Sequence, residues 1–149
     1  MPKIEQELKV KFANHKHRFM TNLIYTSKWL ETINTNYLKP FNISSQQYNV
    51  LRILRGNKDW MNMNDVKALL IDKTPNTTRL SNKLIEKNYI IRKRSQTDRR
   101  VVYLKITDEG LELLKQIDII ESKDPFDILH KFTDEEAQQF SDLLDRLRS

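Results

Sequence analysis

The 149-residue chain contains no cysteine, only two glycines and four prolines. Without cysteine there is no disulfide, no thiolate chemistry and no cysteine-based zinc or iron–sulfur site. Gly56 and Gly110 lie too far apart to share a turn. That spacing excludes both the phosphate-cradling P-loop and the dinucleotide-binding fingerprint. Uninterrupted apolar stretches run to only a few residues, so no transmembrane helix is expected. The charged N-terminus has no apolar signal-peptide core. The expectation is a cytoplasmic protein with no membrane partner. Three histidines, scattered carboxylates and no nucleophile–base–orienter set argue against an enzyme. His15 and His17, two apart, fall on different sides of a helix and read as surface or packing residues. No metal or cofactor is expected.

What is present is charge, unevenly placed. The formal net charge is +6, yet ten basic residues between Lys73 and Lys105 are opposed only by Glu86 and Asp98. Residues 107–149 hold twelve acidic and five basic residues, and the acidic excess there offsets the basic excess of residues 1–72. A cationic footprint confined to one short segment points to a polyanion partner. At 38% hydrophobic residues the chain is long enough to bury the core of one domain.

The apolar positions Ile4, Leu8, Phe12, Phe19, Leu23, Leu30 and Ile33 recur at steps of three, four or seven. They predict one long helix over 3–38, interrupted near Thr32–Asn36 and ended by Pro40. Ser44 and Gln47 form a capping box for a second helix whose apolar face is Tyr48, Leu51 and Leu54, with Gly56 as its stop. A short third helix begins at Asn62 and turns Val66, Leu69 and Leu70 inward. Thr74 followed by Pro75 reads as the start of a fourth helix. That helix buries Leu80, Leu84 and Ile85 and leaves Thr77, Thr78, Arg79, Asn82 and Lys83 on its polar side. Asn88 takes the left-handed position behind it. The runs 89–94 and 101–106 flank a polar turn and predict a β-hairpin. Thr107 caps a fifth helix to about Glu121, a linker at 123–127 contains Pro125, and Thr133 with Glu136 caps a last helix. The fold class is mainly α with a small β-hairpin wing, in a single domain spanning 1–149.

Three helices followed by a hairpin are a winged helix-turn-helix, with 40–107 as the DNA-binding lobe. In such a lobe one helix enters the major groove of double-stranded DNA and its N-terminal part meets base edges. Thr77 and Thr78 at the entry, then Arg79 and Lys83 four residues apart, are the candidate major-groove readers. Ser44, Lys73, Thr74 and Lys93 are candidate phosphate contacts. Arg94, Asp98, Arg99 and Arg100 form the candidate wing site, whose arginines suit a narrow, strongly negative minor groove. Asp98 repels DNA and is therefore a structural residue that aims a neighbouring arginine. The apolar stripes of 1–38 and 108–149 have more area than one lobe can cover, which favours a homodimer.

The run Asp98-Arg99-Arg100-Val101-Val102-Tyr103-Leu104-Lys105-Ile106-Thr107-Asp108-Glu109-Gly110 resembles the D-x-R wing signature of the MarR family of bacterial transcriptional regulators. Thr78-Arg79-Leu80 resembles the family's recognition helix, and Ser44–Gly56 its opening helix. The resemblance implies a homodimer whose N- and C-terminal helices intertwine, a repressor of a pseudo-palindromic operator. It also implies that Arg100 enters the minor groove with Asp98 orienting it, and that Thr78, Arg79 and Lys83 read the major groove. Release by a small aromatic ligand is implied as well, with Tyr25, Trp29, Tyr37 and Tyr48 lying where the family's cleft would be. The alternative reading is a winged-helix protein–protein interaction module without specific DNA binding.

Overall fold

In the computed structural model, which describes residues 2–73, 76–123 and 127–149, the expected helix over 3–38 is two helices. They are α1 (Ile4–Leu8) and α2 (His15–Leu38). Lys9, left-handed at φ 53°, closes α1, and Asn14 restarts the chain by accepting the His17 N–H at 2.9 Å. No break occurs at Thr32–Asn36. Thr32 and Thr35 instead turn their hydroxyls back to the carbonyls of Lys28 and Glu31, at 3.0 and 2.9 Å, without leaving the helix. Pro40 sits in a single 3-10 turn, Lys39–Phe41.

Helix α3 (Ser45–Asn57) opens with the reciprocal box expected of Ser44 and Gln47. Gly56, however, lies inside the helix, where a Cβ would meet open space, and Lys58 takes the left-handed position at φ 61°. Strand β1 (Met61–Asn62) and α4 (Met63–Leu69) follow, with Asn62 as the cap. Leu69 is 60% exposed, contrary to expectation, because the chain leaves the helix at Leu70 and turns that residue inward instead.

Helix α5 (Thr77–Glu86) is capped by Asn76, which accepts the Arg79 N–H at 3.1 Å. The expected start at Thr74 and Pro75 lies outside the described residues, as does Pro125. Asn88 is left-handed as expected, at φ 61°. Then come β2 (Ile90–Arg94), β3 (Val102–Ile106), α6 (Asp108–Glu121), a 3-10 turn at Leu129–Lys131 and α7 (Asp134–Arg148). The antiparallel sheet has the order β1-β3-β2, with Ile90 opposite Ile106, Arg94 opposite Val102 and Met61 opposite Leu104. Strand β1 was not expected. Two residues have no alternation for sequence reading to detect.

Val50, Leu51 and Leu54 of α3 meet Val66, Leu84, Ile90 and Leu104 in one fully buried cluster, which Leu114 and Ile117 of α6 complete. Three polar ties bind α6 to the lobe and to α2. Arg55 pairs with Asp118 at 2.6 Å, the Tyr37 hydroxyl donates to the Ile117 carbonyl at 2.9 Å, and the Tyr48 hydroxyl donates to Glu121 at 2.9 Å. Gly110 permits the close approach of α6 to β2, since a Cβ there would collide with the Tyr89 carbonyl and Ile106. Thr107 holds the same junction, donating to the Asn88 carbonyl at 2.6 Å and accepting the Gly110 N–H at 3.1 Å. No helix among the described residues is long and apolar enough to cross a membrane.

Candidate nucleic-acid interface

The amphipathic pattern of α5 decides which of its side chains can reach a groove. Ser81 and Leu84 are fully buried and Thr77 is 6% exposed. Starting the helix at Thr77 puts that residue one turn below Ser81 and two below Leu84, on the inner face. The expectation that Thr77 reads bases is therefore corrected: its side chain faces the lobe, and its carbonyl accepts from the Ser81 hydroxyl at 2.7 Å. Thr78, Arg79, Asn82 and Lys83 are exposed. The Thr78 hydroxyl lies 3.8 Å from the Met63 sulfur, which ties the entry of α5 to α4.

The pleat of the wing divides its cations between two faces. Arg92 and Arg94 stand opposite Leu104 and Val102, on the α5 side, and Lys93 stands opposite Tyr103 on the outer face. There the Lys93 ammonium lies 4.3 Å above the Trp60 ring, and Lys105 pairs with Asp59 at 3.7 Å. Lys93 is thus not on the face that α5 shares. On that face Arg92 Nη1 donates to Asn82 Oδ1 at 2.9 Å, which joins helix to wing. Asn82 and Arg92 were both visible as polar residues in the sequence. Their pairing was not, because it needs the register of β2 against α5.

The tip of the wing is a closed loop rather than a loose one. The Ser95 N–H donates to the Val101 carbonyl at 2.9 Å, and the Val101 N–H to the Asp98 carbonyl at 3.0 Å. The Asp98 carboxylate accepts the Arg100 backbone N–H at 3.0 Å, and Ser95 Oγ accepts the N–H groups of Thr97 and Asp98, each at 3.3 Å. Asp98 is a turn residue: it fixes the backbone from which Arg99 and Arg100 project. Both arginines are exposed. Arg79, Lys83, Arg94, Arg99 and Arg100 pair with no carboxylate among the described residues, whereas Arg18, Arg55, Lys105 and Arg148 each do.

The other candidate phosphate contacts have structural work. Ser44 accepts the Gln47 N–H at 3.1 Å, and the Lys73 ammonium hydrogen-bonds the Ala68 carbonyl at the end of α4. Thr74 lies outside the described residues. The four aromatic residues do not share one cleft. Tyr37 and Tyr48 line a cavity of about 300 Å³ between α2 and α3, with Glu31, Arg52, Asp72 and Glu121. Tyr25 and Trp29 line a separate groove of about 630 Å³ between α2 and α7, with Phe132 and Phe140. Burial, with the carboxylates of Glu121 and Asp118, pushes the Tyr37 phenol up to about 12. Burial and the bond to Glu121 push Tyr48 up as well.

Fold and surface together define a winged helix-turn-helix protein whose helix α5 and wing share one cationic face. The family described as transcriptional regulator SarA/Rot matches residues 32–117, and the chain belongs to that family of transcriptional regulators. The MarR-type framework expected from the wing motif is present in solved structures. The MarR protein from Peptoclostridium difficile is 26% identical, covers 93% of this chain and 90% of its own, and superimposes with a TM-score of 0.74. A mutant MarR from E. coli complexed with operator DNA is 24% identical, with 86% and 92% covered and a TM-score of 0.72. AbsC, a MarR family transcriptional regulator from Streptomyces coelicolor, is 17% identical, with 93% and 96% covered and a TM-score of 0.77. Among curated protein sequences, none matches the chain significantly.

Proposed function

We propose that this regulator is a homodimer that binds double-stranded DNA in a sequence-specific way and represses transcription from a pseudo-palindromic operator in the cytoplasm. The observation that carries the reading is the set of cations with no carboxylate partner among the described residues, Arg79, Lys83, Arg94, Arg99 and Arg100, on a helix and a wing joined through Asn82 and Arg92. Unpaired cations keep their charge available for phosphates, and binding them releases counterions from DNA. Thr78, Arg79 and Lys83 read the major groove, while Arg100, on the backbone that Asp98 fixes, enters the minor groove. The likeness to a MarR held on operator DNA supports this placement.

The second copy covers the faces that one chain leaves open. Helix α7 has no buried residue and exposes Phe140, Leu143 and Leu147, while α2 exposes Phe19, Met20 and Ile24. Pairing these terminal helices sets two lobes on successive turns of the duplex, roughly 34 Å apart. An effector, if one releases the DNA, fits the cavity at Tyr37 and Tyr48, at the junction of α2 with the lobe.

Selection of duplexes from a random pool tests the reading. It is upheld by a two-part motif with half-sites about one helical turn apart. Recovery of unrelated sequences, bound no better than bulk DNA, would overturn it.

A further inference from the structure

We propose that Asn82 reads a base through its amide N–H groups alone, because Arg92 holds its carbonyl oxygen, and that this pair sets a preference for guanine. The assignment rests on the placement of α5 in the major groove given above.

Asn82 is exposed on α5, three residues after Arg79 and next to Lys83. Arg92 reaches it from the sheet face that looks toward the helix, with Nη1 2.9 Å from Oδ1. A guanidinium carries only donors, so the asparagine must turn its oxygen, not its nitrogen, toward Arg92. An unconstrained asparagine pairs with adenine by accepting from N6–H and donating to N7. Here one lone pair of that oxygen is taken. The adjacent positive charge also repels an incoming amino N–H, which carries the same sign of partial charge. What remains for the groove is the NH2 group, a pure donor. Guanine presents acceptors at N7 and O6 and suits it, whereas adenine sets its own donor against it. Arg92 is then a positioning residue that acts on the base through Asn82.

The test is a duplex selection with sequencing, run on the full chain as wild type, Arg92→Met and Asn82→Ala, with melting curves to confirm that each variant folds. Methionine keeps the length and removes the donors. The wild type should select guanine at one position of each half-site. Arg92→Met should move that position toward adenine by about tenfold, the scale of one bidentate contact. Asn82→Ala should flatten that position alone. Arg92→Met weakening all sequences alike, with the base distribution unchanged, would show Arg92 to be a phosphate contact and would overturn the proposal. A wild-type motif unchanged in both variants overturns the Asn82–Arg92 assignment and leaves the groove placement standing. A wild type that enriches no motif overturns the groove placement and the assignment with it.

Discussion

The lobe from α3 to α6 and the terminal helix α7 are built from similar leucine-rich stripes, yet they bury them differently. Leu51, Leu54, Leu84, Leu104 and Leu114 are fully buried. In α7, by contrast, Phe140 is 53% and Leu143 49% exposed. Both regions begin with a capping box, so local helix signals do not separate them. The difference lies in tertiary packing, which supplies most of a helix's stability in a protein. The lobe is complete in one chain and can present α5 and the wing as a rigid unit. Helix α7 has an apolar stripe with little to pack on, the pattern expected of a segment that is finished by a second copy.

Removing a side chain from the finished region should have the largest effect. Leu84→Ala, beneath the centre of α5, should cost about 2–5 kcal/mol in denaturant unfolding, since a buried leucine leaves a cavity. That cost should not depend on protein concentration. The matching substitution in the open region sharpens the contrast. Leu143→Asp, paired with Phe140→Asp, should leave the lobe folded by circular dichroism and halve the mass seen in sedimentation. An unchanged mass would break the comparison, because α7 would then be an exposed stripe with no partner.

Smaller effects separate the surfaces. Arg79→Ala should weaken specific duplex binding by about 1–3 kcal/mol and relax one position in each half-site, whereas a phosphate contact weakens all sequences alike. Lys93→Ala, on the outer face against Trp60, should change duplex affinity less than Arg100→Ala does, as read by fluorescence anisotropy. Equal losses would place the outer face on DNA as well.

The lobe was legible in the sequence because its signals are local. Ser44 with Gln47, Thr107 before its acidic first turn, and Asn88 in the left-handed position all stand where their side-chain chemistry places them. Errors arose where two local signals competed. Gly56 looked like a stop, but the helix runs on to Asn57 and Lys58 takes the left-handed position. Asn76 caps α5, and that register turns Thr77 inward, where its spacing from Arg79 suggested a groove-facing residue. The charge of the site was legible and its pairing was not. That Lys93 faces Trp60 while Arg92 faces Asn82 follows from strand register, and the separation of Tyr25 and Trp29 from Tyr37 and Tyr48 follows from helix packing. Neither is encoded in spacing along the chain.

The smallest expected effect concerns the junction of α2 with the lobe, where Tyr37 donates to α6. A phenol whose pKa rises from 10.0 to about 12 on folding holds its proton longer in the folded state. Stability is unaffected below pH 10, where both states are protonated, and it declines as pH rises from 10 toward 12, where only the unfolded state ionises. Tyrosinate absorbance during an alkaline titration should show a delayed phase to which Tyr37 and Tyr48 both contribute, and Tyr37→Phe should reduce its amplitude without abolishing it.

The central claim is that two lobes present paired cationic helices and wings to one duplex. Its most direct measurement is a titration of selected duplex DNA across a range of salt, with the mass of the complex determined by sedimentation. Two chains should occupy each site, and log affinity should fall linearly with log salt, with a slope of about −0.9 for each phosphate neutralised. One chain per duplex, or an affinity that does not respond to salt, would contradict it.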